Sequence, residues 1–125
     1  ASALMAADIV VARAGASTLA EVCAVGRPSI LIPYPFATDD HQFQNALSLE
    51  RRGAAVALRQ TDATVERLAS EIERLAKSVE RRMAMAGAAA GIGASDAAMR
   101  IAADLLELAI VREKRGFSQA RVRAV

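Results

Sequence analysis

The sequence predicts an α/β fold with a parallel sheet, and three observations carry that reading. Two short runs, "DIVVA" (Asp8 to Ala12) and "SILIPYP" (Ser29 to Pro35), are apolar on both faces, as strands buried on both sides are. Segments with apolar residues at helical spacing lie between and after them. Strands alternating with helices imply parallel pairing through right-handed crossovers. Only three strands are visible, whereas a complete doubly wound domain has about five or six, so a Rossmann-like half domain is expected.

Each element has its own signals. "DIVVA" is the first strand, and the chain opens almost directly into it. "GASTLAEVCAVG" reads as a helix with Leu19, Val22 and Cys23 inward. Ser17 or Thr18 can cap its start, Gly26 stops it, and Pro28 lies just beyond. After the "SILIPYP" strand and the loop "FATDD", "HQFQNALSLERRG" is a second helix closed by Gly53, with Phe43, Ala46, Leu47 and Leu49 apolar. "AAVALR" (Ala54 to Arg59) is the third strand. Thr61 to Ala86 reads as one long helix with Val65, Leu68, Ile72, Leu75 and Val79 at helical spacing, capped by Thr61, Asp62 or Thr64. "GAAAGIGAS" breaks that pattern, and a last helix runs from Asp96 to about Lys114. The order is βαβαβαα.

Composition sets outer limits. The chain has 125 residues, and 54% are apolar, so one globular domain with a packed core is expected and whole-chain disorder is not. Basic residues cluster late, in Arg112 to Arg123, and 115–125 reads as a basic tail beyond a domain spanning 1–114. The tail is either solvated or a weak contact for anionic lipid or nucleic acid. No aromatic residues interleave with the basic ones along a sheet, so nucleic acid is not expected as a partner. Cys23 is the single cysteine, which rules out an internal disulfide and reads as a buried small hydrophobe. No apolar stretch is long enough for a transmembrane helix, and no signal peptide is expected.

The candidate chemistry lies at the strand ends. In an open parallel sheet, ligands bind beyond the carboxyl ends of strands, which here means "RAGAST". Gly15 permits close backbone approach. Ala16, Ser17 and Thr18 offer free N–H groups at a helix start, where the dipole favours an anion such as a diphosphate. The alternative is an ordinary βα turn with a Ser/Thr cap. Glu21 lies one turn along on the face of Ser17 and Thr18. Its carboxylate suits the vicinal hydroxyls of a ribose, or else completes a capping box. Gln42 and Asn45 share a face at the start of the next helix, and their amides suit sugar hydroxyls. His41 is the only histidine and reads as a cap or packed ring, with a base role as the alternative. Asp39 and Asp40 are adjacent and diverge, which favours a loop or cap role over a metal pair. No Walker-type loop and no G-x-G-x-x-G fingerprint is present.

These residues stand in a larger pattern: Arg13-Ala14-Gly15-Ala16-Ser17-Thr18-Leu19-Ala20-Glu21, Gly26-Arg27-Pro28, "SILIPYP", His41-Gln42-Phe43-Gln44-Asn45-Ala46 and "LERRGAAV". In order and spacing, from residue 5 to about 110, it resembles the donor-binding half of family 28 glycosyltransferases of the B-type fold. Within that family it is most similar to the MurG-type enzymes. They add N-acetylglucosamine to the undecaprenyl-pyrophosphoryl-muramyl-pentapeptide lipid of bacterial wall synthesis. The resemblance implies the second half of the C-terminal domain of such an enzyme. It implies UDP-N-acetylglucosamine as ligand, with Gly15, Ala16, Ser17, Thr18, Leu19, Ala20 and Glu21 lining the nucleotide site. Ala16, Ser17 and Thr18 would approach the diphosphate and sugar, Glu21 would hold the uridine ribose, and Gln42 and Asn45 would read sugar hydroxyls. Ala14 departs from the family's usual Ser. The resemblance implies an inverting transfer with no metal and no cofactor. It assigns the lipid-linked muramyl-pentapeptide acceptor and the catalytic base to an N-terminal domain outside these residues, so the chain alone should be inactive. It also implies a cytoplasmic location with peripheral contact to the inner membrane. A non-catalytic α/β module that binds a nucleotide sugar is the competing expectation, and another UDP-sugar glycosyltransferase is a further one.

Overall fold

Three parallel strands form the sheet in the order β1-β2-β3: β1 is Val10–Ala12, β2 is Ser29–Leu31 and β3 is Val56–Ala57. The computed structural model describes residues 2–36 and 38–94. Val10, Val11 and Ala12 sit opposite Ser29, Ile30 and Leu31, and Ile30 and Leu31 sit opposite Val56 and Ala57. The strands are shorter than the apolar runs suggest, because beyond each strand the run stays buried but continues the ladder by single bonds only, such as that from the Leu58 N–H to the Leu31 carbonyl at 2.9 Å. Ala55 and Leu58, on either side of β3, are 3% and 4% exposed.

The helices follow the expected alternation, with α2 at Ala16–Val25, α3 at His41–Arg51 and α4 at Val65–Ala76. A short helix, α1 at Ser2–Ala6, precedes β1 where the sequence suggests no element. Successive residues of β2 divide the core between the two faces of the sheet. Leu31 packs with Leu19 and Cys23 of α2, Ala46 and Leu49 of α3, and Ala89 and Ile92. Ile30 packs with Leu58 and with Leu75 of α4. Cys23 is buried, as its place in the apolar stripe suggests.

The expected long helix over 61–86 is two helices. Thr64 caps the first, accepting a hydrogen bond from the Arg67 N–H at 3.2 Å. After Lys77 the chain breaks, and α5 occupies residues 79–94. Ser78 caps α5 through the Arg81 N–H, and Arg82 donates to the last carbonyls of α4, at Leu75 (2.7 Å) and Ala76 (2.6 Å). The apolar stripe is also placed differently from the one expected. Val65, Ile72 and Val79 are exposed, and the inward face of α4 is Leu68, Glu71 and Leu75. Glu71 is buried because Arg67 (3.0 Å) and Arg74 (3.4 Å), one turn to either side, neutralise it.

The glycines of "GAAAGIGA" do not interrupt the chain; they lie within α5. Gly93 explains one of them. A Cβ there would lie 2.5 Å from the Cys23 carbonyl oxygen, so α5 crosses the backbone of α2 where only glycine fits. Gly26 ends α2 in the left-handed region, at φ 60°, facing Ala86 and Ala90 of α5. The expected helix 96–114, the domain limit at 114 and the basic tail lie outside the described residues.

Two substitutions within α5 should therefore have opposite signs. Gly93→Ala forces two backbones apart and should destabilise by about 1–3 kcal/mol. Gly87→Ala meets nothing within 4 Å and should stabilise by up to about 1 kcal/mol through helix propensity. Chemical denaturation of the two variants checks the contrast.

Candidate functional site

Adjacent parallel strands in register deliver their following loops to one edge. Ala12 pairs with Leu31, and the Ile32 N–H continues the ladder to the Ala12 carbonyl at 2.8 Å. Beyond this point β1 runs into Arg13, Ala14 and Gly15, and β2 runs into Ile32, Pro33 and Tyr34. Both segments lead to helices, α2 and α3, whose first turns meet over the strand ends. A Cβ on Gly15 would lie 3.9 Å from Nε2 of Gln42.

The start of α2 is open. Gly15 is its N-cap, with φ −68° and ψ 150°, and no side chain caps it. Neither Ser17 nor Thr18 serves as the cap, since Ala16, Ser17 and Thr18 are the first three helical residues. The first intrahelical bond is from the Leu19 N–H to the Gly15 carbonyl, at 3.0 Å. The three N–H groups before it point out of the helix start. Ala16 and Ser17 are exposed and Thr18 is half-buried. Glu21, in the second turn, is exposed and stands too far along the helix for a capping box. The capping alternative for Glu21 is thereby removed.

Leu19 departs from the expected set. Its side chain is in the core, 8% exposed, and its N–H closes the first turn. It supports the site from behind. Ala20 is exposed on α2.

On the second loop, the Tyr34 N–H donates to Oε1 of Gln42 at 2.9 Å. Asn45 lies one turn further along α3 and is half-buried. Asp39 and Asp40 both adopt the left-handed region, at φ 54° and 57°, which the short polar Asp side chain tolerates better than most. Asp40 pairs with Arg59 at 3.2 Å, and the Arg59 guanidinium lies 3.5 Å from the centre of the Phe43 ring. His41 is exposed and 3.8 Å from Asp39. Asp40, Phe43 and Arg59 fasten the start of α3 to the end of β3, in line with a loop role for the aspartates, whereas His41 is the first residue of α3 with an exposed ring and is neither its cap nor packed. Among the described residues, no group of three or more His, Cys, Asp or Glu side chains is placed to hold a metal ion. Also among them, no helix is long and apolar enough to cross a membrane.

Two residues at this edge carry more of the geometry than their sequence signals suggest. Arg13 donates to the carbonyls of Pro33 (3.3 Å) and Ile32 (3.5 Å) and pairs with the side chain of Gln60. Tyr34 supplies the N–H that holds Gln42. The Arg13 bonds join positions brought together only by the sheet, and the Tyr34 bond closes the eight-residue span from the end of β2 to the start of α3.

A parallel α/β sheet with an open helix start and an amide at its crevice defines a Rossmann-like α/β domain. The chain belongs to the glycosyltransferase family 28 C-terminal domain family, whose profile matches residues 1–101. It is 69% identical over 109 residues to the UDP-N-acetylglucosamine--N-acetylmuramyl-(pentapeptide) pyrophosphoryl-undecaprenol N-acetylglucosamine transferase of Sorangium cellulosum, covering 87% of this chain and 27% of that one. It is 52% identical over 104 residues to the Xylella fastidiosa (strain M12) protein of the same name, covering 83% and 28%. Its fold matches the crystal structure of Acinetobacter baumannii MurG with a TM-score of 0.65 at 36% identity, over 70% of this chain and 25% of that one. The chain thus spans under a third of the length of these relatives.

The open geometry at Gly15 yields a prediction. With φ at −68° and 3.9 Å of clearance, alanine fits there without strain. Gly15→Ala should leave thermal stability unchanged or raise it by about 0.4–1 kcal/mol. Clear destabilisation would mean that the turn needs glycine for its own sake.

Proposed function

We propose that this chain carries the nucleotide-facing part of the donor site of an enzyme that transfers N-acetylglucosamine from UDP-N-acetylglucosamine to a lipid-linked muramyl-pentapeptide. The observation that carries the reading is the meeting of the α2 start with Gln42 over adjacent strand ends, in a chain 69% identical to a transferase of that name. The diphosphate lies at the N–H groups of Ala16, Ser17 and Thr18, with hydroxyls of Ser17 and Thr18 beside them. The same groups stabilise UDP as it leaves, since negative charge grows there as the glycosidic bond breaks. Glu21, one turn along, accepts two hydrogen bonds from the ribose. Gln42 and Asn45 meet the sugar. The transfer inverts the anomeric centre and uses no metal.

Residues 1–114 belong to the donor domain on this reading, and 115–125 form a basic tail. The acceptor and the base that activates it lie in a separate domain, so the isolated chain binds donor without transferring sugar. Because the acceptor is lipid-linked and the donor is a soluble nucleotide sugar, the complete enzyme works at the cytoplasmic face of the membrane by peripheral contact.

Glu21→Ala tests the ribose role. Loss of charge-assisted bonds should cost about 1.5–3 kcal/mol of UDP affinity by calorimetry. Since Glu21 is exposed and outside any capping box, the melting temperature should hold. A variant that binds normally but melts early would assign Glu21 to the scaffold.

A further inference from the structure

Arg13 and Gln42 are joined through a single peptide unit. The Arg13 guanidinium holds the carbonyl oxygen of Pro33 at 3.3 Å, and the N–H of that same peptide, on Tyr34, holds Oε1 of Gln42 at 2.9 Å. The peptide is planar and trans, so its C=O and N–H point in opposite directions. Fixing the oxygen therefore fixes the direction of the N–H. Arg13 is braced in turn by the Ile32 carbonyl at 3.5 Å and by the side chain of Gln60, beyond β3. A carbonyl that accepts a hydrogen bond also makes its N–H a better donor.

The consequence falls on Gln42. A backbone N–H can only donate, so the amide turns its oxygen to Tyr34. Its NH2 is then the end that faces the Gly15 side of the crevice, 3.9 Å from where a Cβ on Gly15 would stand. An unrestrained amide would offer either end to a ligand, and this one offers donors alone. We propose that Arg13 is a positioning residue which, through the Pro33–Tyr34 peptide, sets Gln42 as a hydrogen-bond donor to an acceptor oxygen of the sugar. The ligand rests on the donor-site reading above, whereas the relay itself rests on the geometry of the unliganded chain. All three contacts converge on one terminal nitrogen, Nη1, and a lysine at position 13 keeps the charge but places its nitrogen one bond short of that position.

The test uses the full 125-residue chain, 15N-labelled, as wild type, Arg13→Lys, Gln42→Met and the double variant. Without ligand, the Gln42 side-chain NH2 signals, identified by their loss in Gln42→Met, should show a rigid amide in wild type and a mobile one in Arg13→Lys. Equal rigidity in both would overturn the relay. With ligand, Arg13→Lys should lose about tenfold in affinity for UDP-N-acetylglucosamine and change little for UDP. The double variant should bind the sugar nucleotide no worse than Gln42→Met alone. Additive losses, or equal losses for UDP, would also overturn the relay. Should Arg13→Lys fail to fold, Gln60→Leu removes the far brace and is read the same way. A wild-type chain that binds neither nucleotide would sink the donor-site reading, and the unliganded amide signals would still decide the role of Arg13.

Discussion

Everything at the candidate site depends on one constraint, the parallel register of β1 on β2. Ala12 stands opposite Leu31, so the two chains leave the sheet side by side. Parallel strands cannot be joined by a tight turn, and each is followed by a crossover helix. The starts of α2 and α3, twenty-five residues apart in sequence (16 and 41), therefore face each other across one crevice. Free N–H groups at one helix start and an amide at the other are complementary to different parts of one ligand. A one-residue slip in the β1–β2 pairing would turn Leu31 from the α2–α3 face toward α4 and separate Gly15 from Gln42.

The register holds because both sheet faces are packed. On one face the helices approach closely, since α5 presents alanines to α2 and its Gly93 lies against the Cys23 carbonyl. Bulkier residues would lift α5 and open the core around Leu31. On the other face, α4 buries the Glu71 carboxylate, paired with two arginines of its own helix. Removing either partner alone would leave an incompletely paired buried charge, whereas all three together keep α4 in one rotational setting.

The strand–helix alternation, the capping glycine at the end of α2 and the buried Cys23 were legible in the sequence, because each depends on nearby residues. The motif positions from Gly15 to Glu21 and from Gln42 to Asn45 were legible as a set. What was not legible depends on long-range packing. The stripe at Val65, Ile72 and Val79 fits the helical period but faces solvent, because Arg67 and Arg74 let Glu71 take the inward position. "GAAAGIGA" reads as a breaker by propensity, yet it is helical because close approach to α2 favours small residues. Ser17 and Thr18 look like caps until the N-cap is seen to be Gly15, two residues before Ser17. The grip of Arg13 on Pro33 has no local sign at all, since it joins strands nineteen and twenty residues apart.

The most direct measurement is an amide NMR titration of this chain with UDP-N-acetylglucosamine. If the α2 start and Gln42 form one donor site, the signals of residues 15–21 and of Gln42 will move together along a single binding curve. A dispersed spectrum in which these signals stay fixed while others shift, or in which the two groups move with different affinities, would contradict a single site over the ends of β1 and β2.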